Sequence, residues 1–107
     1  MNVITNNTVK CTMALAELEN VIDPEIGLNV VDLGLIYQLD FDENGKKIYI
    51  KMTLTTQFCP MGESITAAVE RVLERTFEGN TVLLELSFDP PWNYERISED
   101  GKKFLNG

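Results

Sequence analysis

Histidine is absent from all 107 residues, and that absence excludes more chemistry than any motif in the chain includes. The usual proton shuttle at neutral pH, Ser-His-Asp and Cys-His activation of a nucleophile, and imidazole zinc sites are all unavailable within one chain. Cysteine is nearly as scarce. With only Cys11 and Cys59, a site made of four cysteines cannot be assembled from one chain, so a metal or cluster would share ligands with carboxylates, water, a small thiol or another subunit. No apolar run approaches the roughly 20 residues needed to span a bilayer, and residues 1–10 are too polar for a secretory signal, so a cytoplasmic protein with reduced thiols and no membrane contact is expected. Positive charge is also short: nine Lys and Arg against seventeen Asp and Glu give a net charge of −8. A nucleic-acid surface needs clustered basic residues, which argues against that partner; a basic protein or a cation is easier to accommodate, and the charge also serves solubility.

What is present describes one folded domain. A chain of 107 residues, 44% hydrophobic and 24% charged, is sized for a single core. Leu15, Leu18 and Val21 or Ile22 fall at helical spacing and predict a first helix over 12–21. Asp23-Pro24 should end it, because the residue before a proline is driven out of the helical region. Residues 35–41 have strand composition. Asp42-Glu43-Asn44-Gly45 signals a hairpin, since Asn-Gly takes the positive φ angles of a tight turn. In 46–55, Ile48, Ile50, Met52 and Leu54 alternate with Lys47, Tyr49, Lys51, Thr53 and Thr55, the pattern of a sheet covered on one face. Pro60 suits the first turn of a helix, and Ile65, Ala68, Val69, Val72 and Leu73 continue it as an apolar stripe to around Phe77.

Gly79-Asn80 stops this helix, and Val82, Leu84, Leu86 and Phe88 alternate in a third strand. Pro90 and Pro91 bar regular structure after it, Trp92 is expected to pack as a lid on the sheet, and Ser98 can cap a short terminal helix that Gly101 weakens. The expected fold is α+β and two-layered, with helices packed on a small mixed sheet of three to four strands. Residues 1–11 are expected to form an N-terminal tail and residues 12–107 the single domain.

The run Thr53-Leu54-Thr55-Thr56-Gln57-Phe58-Cys59-Pro60-Met61-Gly62 brings a thiol to the junction of a strand and an amphipathic helix. Unpaired backbone N–H groups and the positive end of the helix dipole favour thiolate there, whereas residue type alone is equally consistent with a small buried cysteine used for packing. Asp23-Pro24-Glu25-Ile26-Gly27 carries two carboxylates on a partly rigid loop; they serve either as site groups or as a helix stop and a surface charge. Thr55 and Thr56 have the β propensity of ordinary strand-end residues and the hydroxyls to tune a neighbouring thiolate. Asp32 and Gly34 are expected to provide turn chemistry ahead of the first strand, and Cys11, at the edge of the first helix with no supporting motif, is structural or incidental.

Taken in order, Asp23-Pro24-Glu25-Ile26, Val31-Asp32-Leu33-Gly34-Leu35-Ile36-Tyr37, Met52-Thr53-Leu54-Thr55-Thr56, Cys59-Pro60-Met61-Gly62 and Asp89-Pro90-Pro91-Trp92 resemble the iron-sulfur cluster assembly domain of the PaaD and SufT type over roughly residues 12–105. The resemblance implies a part in maturing iron-sulfur proteins, with Cys59 as the key thiol and metal ligand. It also implies that Asp23, Glu25, Thr55 and Thr56 line one pocket with Cys59. Gln57-Phe58 stands where many relatives carry a small or Pro-Gly-like spacer, and the cysteine-rich C-terminal segment of PaaD-type relatives has no counterpart before Gly107.

Three expectations follow from this resemblance. The first is a non-enzymatic carrier or adaptor holding a transient, labile iron-sulfur cluster, acting with assembly proteins and client apoproteins as a monomer or homodimer. The second is a thiol-dependent enzyme with Cys59 as nucleophile or sulfur acceptor and Asp23 or Glu25 as its acid-base partner. The third is a pure protein-protein adaptor.

Overall fold

The structure, a computed structural model, describes residues 3–58 and 60–106. In chain order its elements are β1 (Ile4–Thr5), α1 (Thr8–Leu18), β2 (Ile36–Asp42), β3 (Lys47–Met52), α2 (Gly62–Thr76), β4 (Thr81–Leu86), a 3-10 turn (Tyr94–Arg96) and α3 (Glu99–Asn106). The four strands form one sheet in the order β1-β2-β3-β4. The β1-β2 and β3-β4 pairs are parallel and the central β2-β3 pair is antiparallel. The architecture is therefore α+β with a mixed sheet, as expected. Among the described residues, no helix is long and apolar enough to cross a membrane.

Leu39, Phe41, Ile48, Ile50 and Met52 of the central strands are buried with Leu15 and Leu18 of α1 and Ile65, Val69 and Leu73 of α2. Two parallel pairs require two crossovers, and α1 and α2 supply them; both helices bury their apolar stripes in this common core.

Several boundaries differ from those expected. Residues 1–11 do not form a tail throughout, because Ile4–Thr5 pairs with β2 and α1 begins at Thr8. A two-residue strand has no periodicity to detect. The start of α1 is set by Asn7, whose side chain accepts the Lys10 N–H at 3.0 Å. At its other end α1 stops at Leu18 rather than at Asp23-Pro24, and the chain turns so that Val21 accepts the Val30 N–H at 3.0 Å. The helix of Pro60 begins later, at Gly62, with Met61 as its cap residue.

The hairpin between β2 and β3 forms, but its positive φ of 53° belongs to Lys46, not to Asn44 or Gly45; the Gly45 N–H is held by the Asp42 carboxylate at 3.0 Å. A register shift between Ile36 and Gln38 inserts an extra residue opposite β3, so Ile36 pairs with Met52 while Gln38 pairs with Lys51. Strand pairing ends at Met52, and Thr53, expected on the open face, is fully buried with its N–H donated to the Leu35 carbonyl at 2.8 Å.

The segment after β4 straps over the turn that precedes β2. Trp92 Nε1 donates to the Leu33 carbonyl at 2.6 Å, and the Tyr37 hydroxyl donates to the Pro90 carbonyl at 2.7 Å. Arg96 lies 4.1 Å from the Tyr37 ring centroid and donates to the Gly34 carbonyl at 3.1 Å. Asp32 accepts from Ser98 Oγ at 2.7 Å and from Asn29 Nδ2 at 2.7 Å, so one carboxylate ties the turn to the C-terminal segment. Ser98 Oγ also accepts the Gly101 N–H at 3.0 Å and caps α3.

Candidate functional site

The Asp-Pro-Glu loop is a turn that holds itself together. Asp23 is 2% exposed; its carboxylate accepts the Glu25 N–H at 2.9 Å and its carbonyl accepts the Gly27 N–H at 2.7 Å. Its own N–H donates to the Leu28 carbonyl at 3.0 Å, so the loop closes on itself from both ends. An aspartate followed by proline suits such a turn because the short carboxylate reaches the backbone two residues on, and proline presets φ. Asp23 is thus neither a helix stop nor a solvent-facing charge. Glu25, two residues later, points its side chain into an exposed position.

After β3 the chain passes through buried Leu54, half-buried Thr55 and exposed Thr56, whose hydroxyl accepts the Phe58 N–H at 3.2 Å. Gly62 opens α2 against this segment. A Cβ at Gly62 would sit 2.8 Å from a methyl carbon of Leu54, so the missing side chain is what lets the first turn of α2 press on the strand exit. Cys59 lies outside the described residues. In sequence it precedes the cap residue Met61, so the first-turn position at the N-terminus of α2 belongs to Gly62. Expectations for the Cys59 thiol and its pocket therefore fall on a residue whose placement is not described.

A cavity of about 320 Å³ joins the two halves, with Pro24 and Ile22 on one wall and Ser64, Ala68 and Arg71 of α2 on another. The loop of Asp23 and the start of the helix that follows Cys59 thus border a common space. No hydrogen bond or ion pair ties Asp23 or Glu25 to Thr55 or Thr56 among the described residues. Nor, among the described residues, do three acidic or thiol side chains converge closely enough to hold a metal ion.

Cys11, on the buried face of α1, is 5% exposed. Burial pushes its thiol above its ordinary range, a hydrogen bond with Thr5 opposes that shift, and the Asp40 charge adds to it. Such a thiol is protonated at neutral pH and is a poor nucleophile, in keeping with a structural role. Apolar periodicity passed over Arg71 and Arg75, although with Ser64 and Ala68 they form a stripe at helical spacing that faces the cavity.

The sequence profile described as iron-sulfur cluster assembly protein matches residues 11–84. The chain is 36% identical over 88 residues to the Fe-S protein maturation auxiliary factor YitW of Bacillus subtilis (strain 168), covering 82% of this chain and 85% of that protein. It is 38% identical over 82 residues to the Fe-S protein maturation auxiliary factor SufT of Staphylococcus aureus (strain USA300), covering 77% and 92%. The crystal structure of a domain of unknown function from Bacillus anthracis superposes with a TM-score of 0.82 at 40% identity, covering 89% of this chain and 90% of that one.

Proposed function

The chain belongs to the iron-sulfur cluster assembly protein family and its role lies in iron-sulfur protein maturation; within that role, we propose that it is a carrier or adaptor that handles a cluster through Cys59. The cluster is cargo in this proposal, and the chain is an auxiliary factor rather than a catalyst. Its partners are assembly proteins and client apoproteins.

The observation that carries the proposal is that Pro24, next to Asp23, lies across from Ser64 and Ile65 in the first turn of α2, at one end of the cavity they line. Cys59 leads into that helix, and its thiolate would be a good ligand for iron. Asp23, with one carboxylate oxygen held by the Glu25 N–H, would keep its second oxygen for the site, while exposed Glu25 would be free to swing. The Thr56 hydroxyl accepts one hydrogen bond and still has its own proton to donate, so it and Thr55 would tune a thiolate or a cluster sulfide. One motif thiol per chain implies a cluster that is labile, shared between two chains or shared with a partner.

The test is anaerobic reconstitution with iron and sulfide of the wild type and Cys59→Ser, read by visible absorption and by iron and sulfide content after gel filtration. The wild type is expected to retain a chromophore that the variant lacks, with the elution volume reporting whether one or two chains hold it. Retention of equal iron by both proteins would remove Cys59 from the role; retention by neither would leave adaptor function without cargo.

A further inference from the structure

We propose that the seam between α2 and residues 17–24, where the chain leaves α1, is a docking groove for an acidic, partly apolar polypeptide segment of a partner protein, with Arg71 and Arg75 as its anchors. Two cavities, of about 320 and about 510 Å³, lie along this seam and both include Asn20, Val72 and Arg75, so they form one continuous groove. It runs from Ser64 to Thr76 along α2, a length of roughly 18 Å at the rise of an α-helix. About five or six extended residues span that distance. The floor is apolar, with Val21, Ile65 and Val72 buried, and Ile22 at its edge is 49% exposed.

Charge decides what fits. The chain carries seventeen acidic residues against nine basic ones. The ion pairs among the described residues use Lys10, Lys51 and Lys102, and the third arginine, Arg96, is engaged with Tyr37 and the Gly34 carbonyl. Arg71 and Arg75 are exposed and form no ion pair among the described residues.

On α2 the signs are segregated. Ser64, Ala68, Arg71 and Arg75 follow one stripe along the groove, whereas Glu63, Glu70 and Glu74 follow a separate stripe on the opposite flank of the buried face. Among the described residues, the only acidic one lining the groove is Glu17 at its far end. Two planar guanidinium groups one turn apart beside an apolar floor match carboxylates interleaved with apolar side chains. The groove begins at Pro24, next to Asp23, so a segment seated in it would hold its protein against the proposed site. That the partner is a client or assembly protein rests on the proposed function; the groove chemistry does not.

The experiment is panning of a displayed library of random peptides, about seven residues long to match the groove, on the wild type and on Arg71→Glu/Arg75→Glu. An enriched peptide is then synthesised with a fluorescent label and measured by anisotropy. Enrichment of sequences that combine Asp or Glu with Leu, Ile or Phe is expected. Affinity should drop at least about tenfold in the double variant and fall as NaCl rises from about 50 to about 300 mM. Arg71→Lys/Arg75→Lys should recover part of the binding, and Cys59→Ser should bind as the wild type does, which separates this proposal from the thiol's role. Circular dichroism checks that the exposed substitutions leave the fold intact. No enrichment, enrichment without acidic residues, equal binding to the charge-reversed variant, or displacement by about 10 mM inorganic phosphate alone, the mark of a simple anion site, would each overturn the proposal.

Discussion

Gly34 and Gly27 both hold positive φ angles, 75° and 84°, yet their surroundings differ. A Cβ at Gly27 meets nothing within 4 Å, whereas one at Gly34 collides with the backbone carbonyl of Arg96, which has no rotamer by which to yield. Gly27→Ala is therefore expected to cost only the left-handed penalty of about 1–2 kcal/mol. Gly34→Ala should cost at least about 3 kcal/mol, because the C-terminal strap must also move. Urea denaturation of the two variants side by side checks this, and equal losses would mean that the strap is not held tightly at Gly34. Both glycines could be recognised as turn residues from the chain alone, but the collision that separates them involves a residue 62 positions away. Asp23 has a similar history. Its place in a loop is legible in Asp-Pro, while the end of α1 at Leu18, the turn closed by its own carboxylate and its burial depend on packing that the chain alone does not show.

Elements defined by long periodic patterns came through best. The stripe from Ile65 to Leu73 predicted α2, and the alternation of Ile48, Ile50 and Met52 predicted β3, because a 15-residue helix and a six-residue strand each repeat their burial signal several times. Elsewhere that redundancy is missing: the two-residue β1 has no period to detect, and the apolar spacing from Leu15 runs on to Val21 and Ile22, past the end of α1 at Leu18. The bulge in β2 is a further case: it puts Ile36 opposite Met52, out of step with the pairing of Leu39 and Ile50.

The terminal helix was anticipated from Ser98, and the structure adds why an eight-residue helix interrupted by glycine persists: Ser98 both caps it and binds Asp32. Ser98→Ala is expected to cost about 2 kcal/mol. Amide exchange should then rise at Gly101 and Lys102 well before it rises at Ile50 of β3; uniform acceleration across the chain would mean that α3 does not open independently.

At the scale of the whole molecule, the radius of gyration of 13.3 Å matches the roughly 13 Å expected for one domain of about 100 residues. Its net charge of −8 remains after three ion pairs among the described residues, each with one partner at least 66% exposed. Such pairs contribute under about 1 kcal/mol each, so relief of self-repulsion should outweigh their screening. Raising NaCl from about 20 to about 300 mM is therefore expected to raise Tm, and a fall in thermal scans would show that the pairs dominate. The whole-chain balance suggested a basic partner or a cation, but the seam between α2 and residues 17–24 has the opposite character. Net charge is a sum over residues, whereas a docking surface depends on which charges share one flank.

The sequence by itself determined the α+β class, the α2 and β3 patterns, the family and the chemistry that a chain without histidine cannot perform. These depend on residue type and on periods of two and 3.6 residues, all of which are local. Tertiary structure alone decided that Asp23 and Thr53 are buried, that Asp32 ties the C-terminal segment to the turn before β2, and that Pro24 shares a cavity with α2. It also decided that the exposed Arg71 and Arg75 line a groove with an apolar floor. Each of those facts is set by residues distant in sequence and brought together when the two crossover helices bury their apolar faces on the sheet, and no local pattern encodes which distant partner arrives.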